Sequence, residues 1–172
     1  MSIQRRRSIR KLPSIKNKGI KGIKASFEFN KNLHSIDLQE IYFTNFIKKD
    51  KFKYKFVKKE IDAIKKQMTN MNDYEIKEEN YSKKNRQRVN TIYEETYKAT
   101  NLTPLVRIKH IYNKEFQIFC EDENGIYKIQ LVDLHHLIIP AADKEHGEEK
   151  ANIEKKYNDV RGGIIDLKDL IA

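Results

Sequence analysis

Apolar residues recur along this chain with two different periods, and the change of period divides it. Ala25–Asn30 alternates, with Phe27 and Phe29 on one side and Ser26 and Glu28 on the other, which predicts a short strand. Leu38, Ile41, Tyr42 and Phe46, widened by Phe43 and Ile47, share one helical face and predict a helix capped by Ser35 or Asp37. Lys51–Phe56 alternates strictly and predicts an amphipathic strand, with Phe52, Tyr54 and Phe56 inward and three lysines outward. Val57, Ile61, Ile64 and Met68 then repeat at helical spacing, and that helix either follows the alternating run or absorbs it. Asn70–Asn72 marks a break. Residues 73–100 are polar, with one thin helical face of Val89, Ile92, Tyr93 and Thr96.

Beyond Thr103-Pro104 the period becomes two. Val106, Ile108, His110 and Tyr112 share a face, as do Phe116, Ile118 and Cys120, and Tyr127, Ile129 and Leu131 continue on a return strand. Asn124-Gly125 between the last two runs is the preferred turn of a tight hairpin, because both positions accept positive φ. Residues 105–132 therefore read as three antiparallel strands. Asp143 caps a helix through about Val160, Gly162-Gly163 ends it, and Asp166 caps a last short helix. The predicted class is α+β: a basic arm (1–24), a helix-rich basic region (25–102), and a three-stranded antiparallel meander with a C-terminal helix (103–172). The meander is either open or part of a small barrel, and 25–172 can form one domain.

Charge sharpens this division. The 172 residues carry 35 Lys+Arg and 25 Asp+Glu, a formal charge of +10. Residues 1–24 alone hold +9, residues 25–90 hold +5, and each of 91–140 and 141–172 holds −2. A cationic front half predicts a polyanionic partner, DNA or RNA. The arm concentrates Arg5, Arg6, Arg7, Arg10 and Lys11, and Pro13, Gly19 and Gly22 break any regular element there. A second cluster, Lys83, Lys84, Arg86 and Arg88, lies on the polar helix and predicts phosphate contacts; Lys48–Lys59 offers a further basic surface. Lys, Ile and Asn number 27, 23 and 14, a bias toward AT-rich codons. No apolar run approaches the ~20 residues of a membrane span, and the basic N-terminus has no signal-peptide core. The expectation is a cytoplasmic protein without a membrane partner.

Chemistry is sparse. Phosphate-binding and nucleophile-elbow glycine motifs are absent. The single cysteine, Cys120, excludes an intrachain disulfide and a four-cysteine zinc site, and its phase places it in the core. The run Val132-Asp133-Leu134-His135-His136-Leu137-Ile138-Ile139-Pro140, followed by His146 and Asn152, resembles the opening of an HNH-type nuclease motif. That resemblance implies a general base and a metal ligand in His135 and His136 and an orienting Asn152, with His146 as a further ligand to a divalent metal. No histidine follows His146 to supply the family's final helical ligand, and the paired cysteines that often brace that fold are absent. The leading expectation assigns no catalytic residue, metal or cofactor. It is a non-enzymatic nucleic-acid-binding accessory protein of a phage, plasmid or ribonucleoprotein. One alternative is a small metal-dependent nuclease or RNase toxin. Another is a protein-binding inhibitor or scaffold, tethered by its arm and using the acidic C-terminal third as partner surface.

Overall fold

The computed structural model describes residues 26–66, 73–77, 83–139 and 149–172. Its elements are β1 (Ser26–Phe29), β2 (Asp37–Leu38), a 3-10 turn (Gln39–Ile41), β3 (Phe43–Thr44), α1 (Lys51–Lys65), β4 (Tyr74–Lys77), α2 (Lys83–Tyr97), β5 (Val106–His110), β6 (Gln117–Glu123), β7 (Ile126–Asp133), α3 (Glu149–Val160) and α4 (Leu167–Ile171). The class is α+β. The sheet, however, has five strands in the order β1-β7-β6-β5-β4, not three. Strands β4 to β7 pair antiparallel, and β1 joins β7 parallel, Ser26 beside Ile126. Two strands from the front half therefore extend the meander on both sides. β4 leaves no signal in the sequence pattern, since Tyr74–Lys77 is too short and polar to show a period. Among the described residues the sheet stays open as a curled half-barrel, with β1 and β4 as its edges. It curls enough that Phe27 on β1 and Tyr74 on β4 meet edge to face, ring centroids 5.4 Å apart.

Each face carries its own core. One buries Phe27, Tyr74, Ile108, Ile118, Cys120 and Ile129 under Val57, Ile61 and Ile64 of α1 and Leu167 of α4. The other buries Phe119 and Leu131 under Val89, Ile92 and Tyr93 of α2 and Tyr157 of α3. At about 25 cal/mol per Å² of apolar area removed from water, such two-sided burial is what holds a sheet of short strands. Among the described residues no helix is long and apolar enough to cross a membrane.

Three local expectations change. Lys51–Phe56 is the start of α1, not a strand: the Asp50 side chain accepts from the Phe52 amide at 3.0 Å, and the stripe of Val57, Ile61 and Ile64 draws the preceding turns into its own period. The helix expected over 38–46 is a two-stranded β2–β3 unit around one 3-10 turn. Tyr42 sits at φ 56, and the Asn45 side chain accepts from Ile36 N (2.7 Å) and donates to Val132 O (3.0 Å), so side chains supply partners that a helix would have taken from its own backbone. Ser35 caps nothing at 37; its hydroxyl donates to Asn45 O and accepts from Leu167 N. Finally, Leu131 does not share a face with Tyr127 and Ile129. A bulge, with Phe119 opposite Leu131 and Cys120 opposite Ile129, leaves Gln130 extra and reverses the phase. The Gln130 carbonyl accepts from Tyr97 Oη at 2.7 Å, and its side chain from Asn30.

Other features agree with the pattern. Asn124 (φ 55) and Gly125 (φ 88) form the tight β6–β7 turn. Val89, Ile92, Tyr93 and Thr96 are the buried face of α2. Gly162 (φ 86) follows α3, and Asp166 caps α4 through the Lys168 amide. The expected start of α3 at Asp143 lies outside the described residues.

Candidate functional site

β7 ends at Asp133, and the chain then runs through Leu134–Ile139 with no regular structure, every residue buried except the half-buried His136. Its backbone groups still need partners, and two charged side chains supply many of them. The buried Asp133 carboxylate accepts from the amides of His135 (3.1 Å), Leu137 (3.0 Å) and Ile138 (2.8 Å). Arg88 reaches the same segment from α2: Nε donates to Leu137 O and Ile138 O at 3.0 Å each, Nη2 to Leu137 O at 2.8 Å, and Nη1 to Ile41 O at 2.6 Å. Burial raises the Asp133 carboxyl above its ordinary range, opposed by the three amides and by the Arg88 charge. Burial also lowers Arg88.

This removes Arg88 from the expected phosphate-binding set. Its guanidinium is taken up by carbonyls of the loop and of the β2–β3 unit. Lys83, Lys84 and Arg86 are exposed on α2. The sequence does carry the distinction: Arg88, Ile92 and Thr96 recur every four residues, on the stripe that α2 buries.

The adjacent histidines have different partners. His135 is 2% exposed, and its Nε2 lies 3.3 Å from Phe46 O while its Nδ1 lies 2.8 Å from Lys53 Nζ. The geometry assigns Nε2–H as donor and Nδ1 as acceptor, a neutral ring. Burial first, then the Lys53 charge, push its pKa down to about 4. Lys53 also donates to Glu115 Oε2 at 2.9 Å, and Lys156 of α3 stands 3.7 Å from Glu115 Oε1. Burial works against the Glu115 charge, but Lys53 and Lys156 outweigh it and hold the carboxyl below its usual value. His136, at φ 56, faces instead the charges of Lys109, Lys156 and Arg107; burial and those cations bring it to about 4.

These contacts bear on the alternative that gave His135 a metal or general-base role. Both ring nitrogens are engaged, and an ammonium occupies the position beside Nδ1 that a metal ion would need. Among the described residues no three His, Cys, Asp or Glu side chains gather to hold a metal. Asn152 is exposed on α3, while His146, Arg5, Arg6, Arg7, Arg10 and Lys11 lie outside the described residues. Sequence reasoning missed Lys53, Glu115 and Lys156, which only the tertiary fold brings to His135.

The basic face of α1 is the other notable surface. As a strand, this segment would send rings and lysines to opposite sides. As a helix it places Phe52, Lys55 and Lys59 at i, i+3 and i+7, all on the exposed side, with Phe52 86% exposed. Tyr112, 77% exposed, joins the flank of that helix through His110, whose ring lies 6.1 Å from Tyr112 and 5.2 Å from Phe56. No protein family, curated protein or solved structure matches this chain.

Proposed function

We propose that this protein is a non-enzymatic nucleic-acid-binding accessory protein, of the kind a phage, plasmid or ribonucleoprotein employs. The observation that carries this reading is Phe52: a large apolar ring held in solvent on the same helix face as Lys55 and Lys59. Stacking a base on an exposed ring while lysines neutralise the flanking phosphates is how single strands are bound without sequence preference. The +9 charge of residues 1–24 supports the same partner by adding backbone contacts. Lys83, Lys84 and Arg86 form a further basic group within this reading. The nuclease alternative is weakened by the engagement of both His135 nitrogens, and the acidic C-terminal third keeps a protein partner as the other alternative.

The test is fluorescence anisotropy with labelled single-stranded DNA, single-stranded RNA and duplex across salt. Full-length protein should bind with strong salt dependence. Deleting residues 1–24 should lower the log–log salt slope by about 5 if six arm cations neutralise phosphates. Phe52→Ala should weaken single-strand binding about tenfold, the equivalent of one stacked base, and leave the melting temperature unchanged. Lys55→Glu with Lys59→Glu should weaken every nucleic acid alike, because phosphate contacts carry no base information. Salt-independent or absent binding by the full chain overturns the proposal.

A further inference from the structure

We infer that Tyr112 is a second base-stacking ring beside α1, and that the neutral ring of His110 is the positioning residue that holds it there. The inference rests on the stacking surface proposed above and names a second point at which that surface grips a single strand. Among the described residues only two Phe or Tyr rings are exposed, Phe52 and Tyr112. They belong to neighbouring elements. The β5–β6 turn lies along the first half of α1 through three contacts: Lys53 Nζ donates to Glu115 Oε2 at 2.9 Å, the Phe56 ring meets Phe116 at 5.7 Å, and Glu60 Oε2 lies 3.8 Å from His110 Nε2. Lys59, on the exposed face of α1, is close enough for its charge to act on His110.

The turn is fastened around the residue that carries the ring. Tyr112 lies between His110 and Asn113, and those two residues bond to each other: the Asn113 amide donates to His110 Nδ1 at 2.9 Å. Asn113 then closes the rest of the turn, accepting from Glu115 N on its side chain (3.2 Å) and from Phe116 N on its carbonyl (3.1 Å). His110 is 5% exposed, boxed edge to face by Phe56, Tyr74, Phe116 and Tyr112 at centroid distances of 5.1–6.2 Å. A nitrogen that accepts from an amide carries no proton, so the geometry assigns the neutral Nε2–H ring. A second ring proton would set one N–H against another and open the bond that spans Tyr112. The groups facing the ring are Glu60 and Lys59 of α1, with Asp73 and the Tyr74 phenol on the β4 side. Burial, helped by Lys59 and opposed by Glu60 and Asp73, holds the ring's pKa below its ordinary value, so the bond is present at neutral pH. A ring exposed on a turn already fastened this way needs little further ordering when a base stacks on it.

Fluorescence anisotropy of the full chain with labelled oligothymidylate, and with a duplex of equal length, tests this. Tyr112→Leu should weaken the single strand about tenfold, the equivalent of one stacked base, and leave the duplex within about twofold and the melting temperature unchanged. Tyr112→Trp should keep full affinity. His110→Phe retains a packed ring but removes the acceptor. It should weaken the single strand to the same degree, and the double variant should be no weaker than either single one, because both changes act through one ring. If His110→Phe does not fold, the parent protein serves. As ¹⁵N-histidine spectra show His110 taking up its second proton below neutral pH, the Tyr112→Leu penalty should shrink, with circular dichroism marking the range over which the fold persists. A single strand indifferent to Tyr112→Leu, while Phe52→Ala still weakens it, overturns this inference and leaves the stacking reading intact. Losses that multiply in the double variant, or a Tyr112 penalty independent of His110 protonation, overturn the role of His110. A full chain that binds no nucleic acid removes both the reading and the inference.

Discussion

Arg88→Ala separates a clamp from a phosphate ligand. Arg88 donates to the carbonyls of Ile41, Leu137 and Ile138 at 2.6–3.0 Å, and a longer contact of 3.4 Å reaches Tyr42 O. Hydrogen bonds from a charged donor contribute about 1.5–3 kcal/mol each, and an unserved buried acceptor costs about 1–3 kcal/mol. These contributions overlap, because all run through one guanidinium and water can reach part of the gap. The alanine variant also removes the positive charge that favours the ionised form of the buried Asp133 carboxylate. Breaking one half of such a buried charge arrangement costs about 3–5 kcal/mol, and that is the loss expected here. Arg88→Lys should recover less than half, since one ammonium cannot replace a fork aimed at several carbonyls. Arg86→Ala, exposed on the same helix, should stay within about 0.5 kcal/mol of the parent. Urea unfolding followed by circular dichroism measures all three. An Arg88→Ala protein as stable as its parent, but weakened in nucleic-acid binding, would refute the clamp and restore Arg88 to the phosphate surface.

Two further outcomes follow from single contacts. His135 titrates near 4 in the folded protein against an ordinary 6.5, so the unfolded chain binds more protons between those values and stability must fall as pH drops through that window. The loss attributable to this ring should approach about 3 kcal/mol by pH 4, at ~1.4 kcal/mol per pH unit; melting curves from pH 7 to 4 should show it, and His135→Gln should flatten the slope. A Cβ on Gly163 would lie 2.7 Å from Phe46 C and 2.8 Å from Phe46 O, where the backbones of Ile47 and Ile165 pair. Gly163→Ala should cost about 1–3 kcal/mol in chemical denaturation, by forcing those backbones apart; an unchanged midpoint would show that the approach is not tight.

What could be read from the residues was whatever local pattern alone determines. Asn124-Gly125 names its own turn, and the Val89–Thr96 stripe names its own buried face, because neighbours in sequence settle both. What escaped was settled at long range. β1 looked like a strand, but nothing in Ser26–Phe29 reveals a parallel partner at Ile126–Ile129. The alternation of Lys51–Phe56 was real and misleading, since the core stripe of Val57, Ile61 and Ile64 decided the period for the whole helix. The phase reversal at Gln130 left no mark in the run itself. The site divides the same way. His135 and His136 stood out by adjacency, whereas Lys53, Glu115 and Lys156 acquire meaning only when α1, the β5–β6 turn and α3 converge on them.

The parallel pairing of β1 with β7 also sets a timetable for synthesis. Ser26 waits for Ile126, and Asn30 for Gln130 across 100 residues of chain. At ~5–20 residues per second a ribosome needs roughly 5–20 s to deliver that partner. During this interval Phe27, almost fully buried in the finished protein, has no β7 to lie beside. The edge that starts the chain's described structure is thus among the last to be sealed. A nascent chain stalled before β7 would offer an unpaired apolar strand to whatever chaperone or neighbouring chain lies at the tunnel exit.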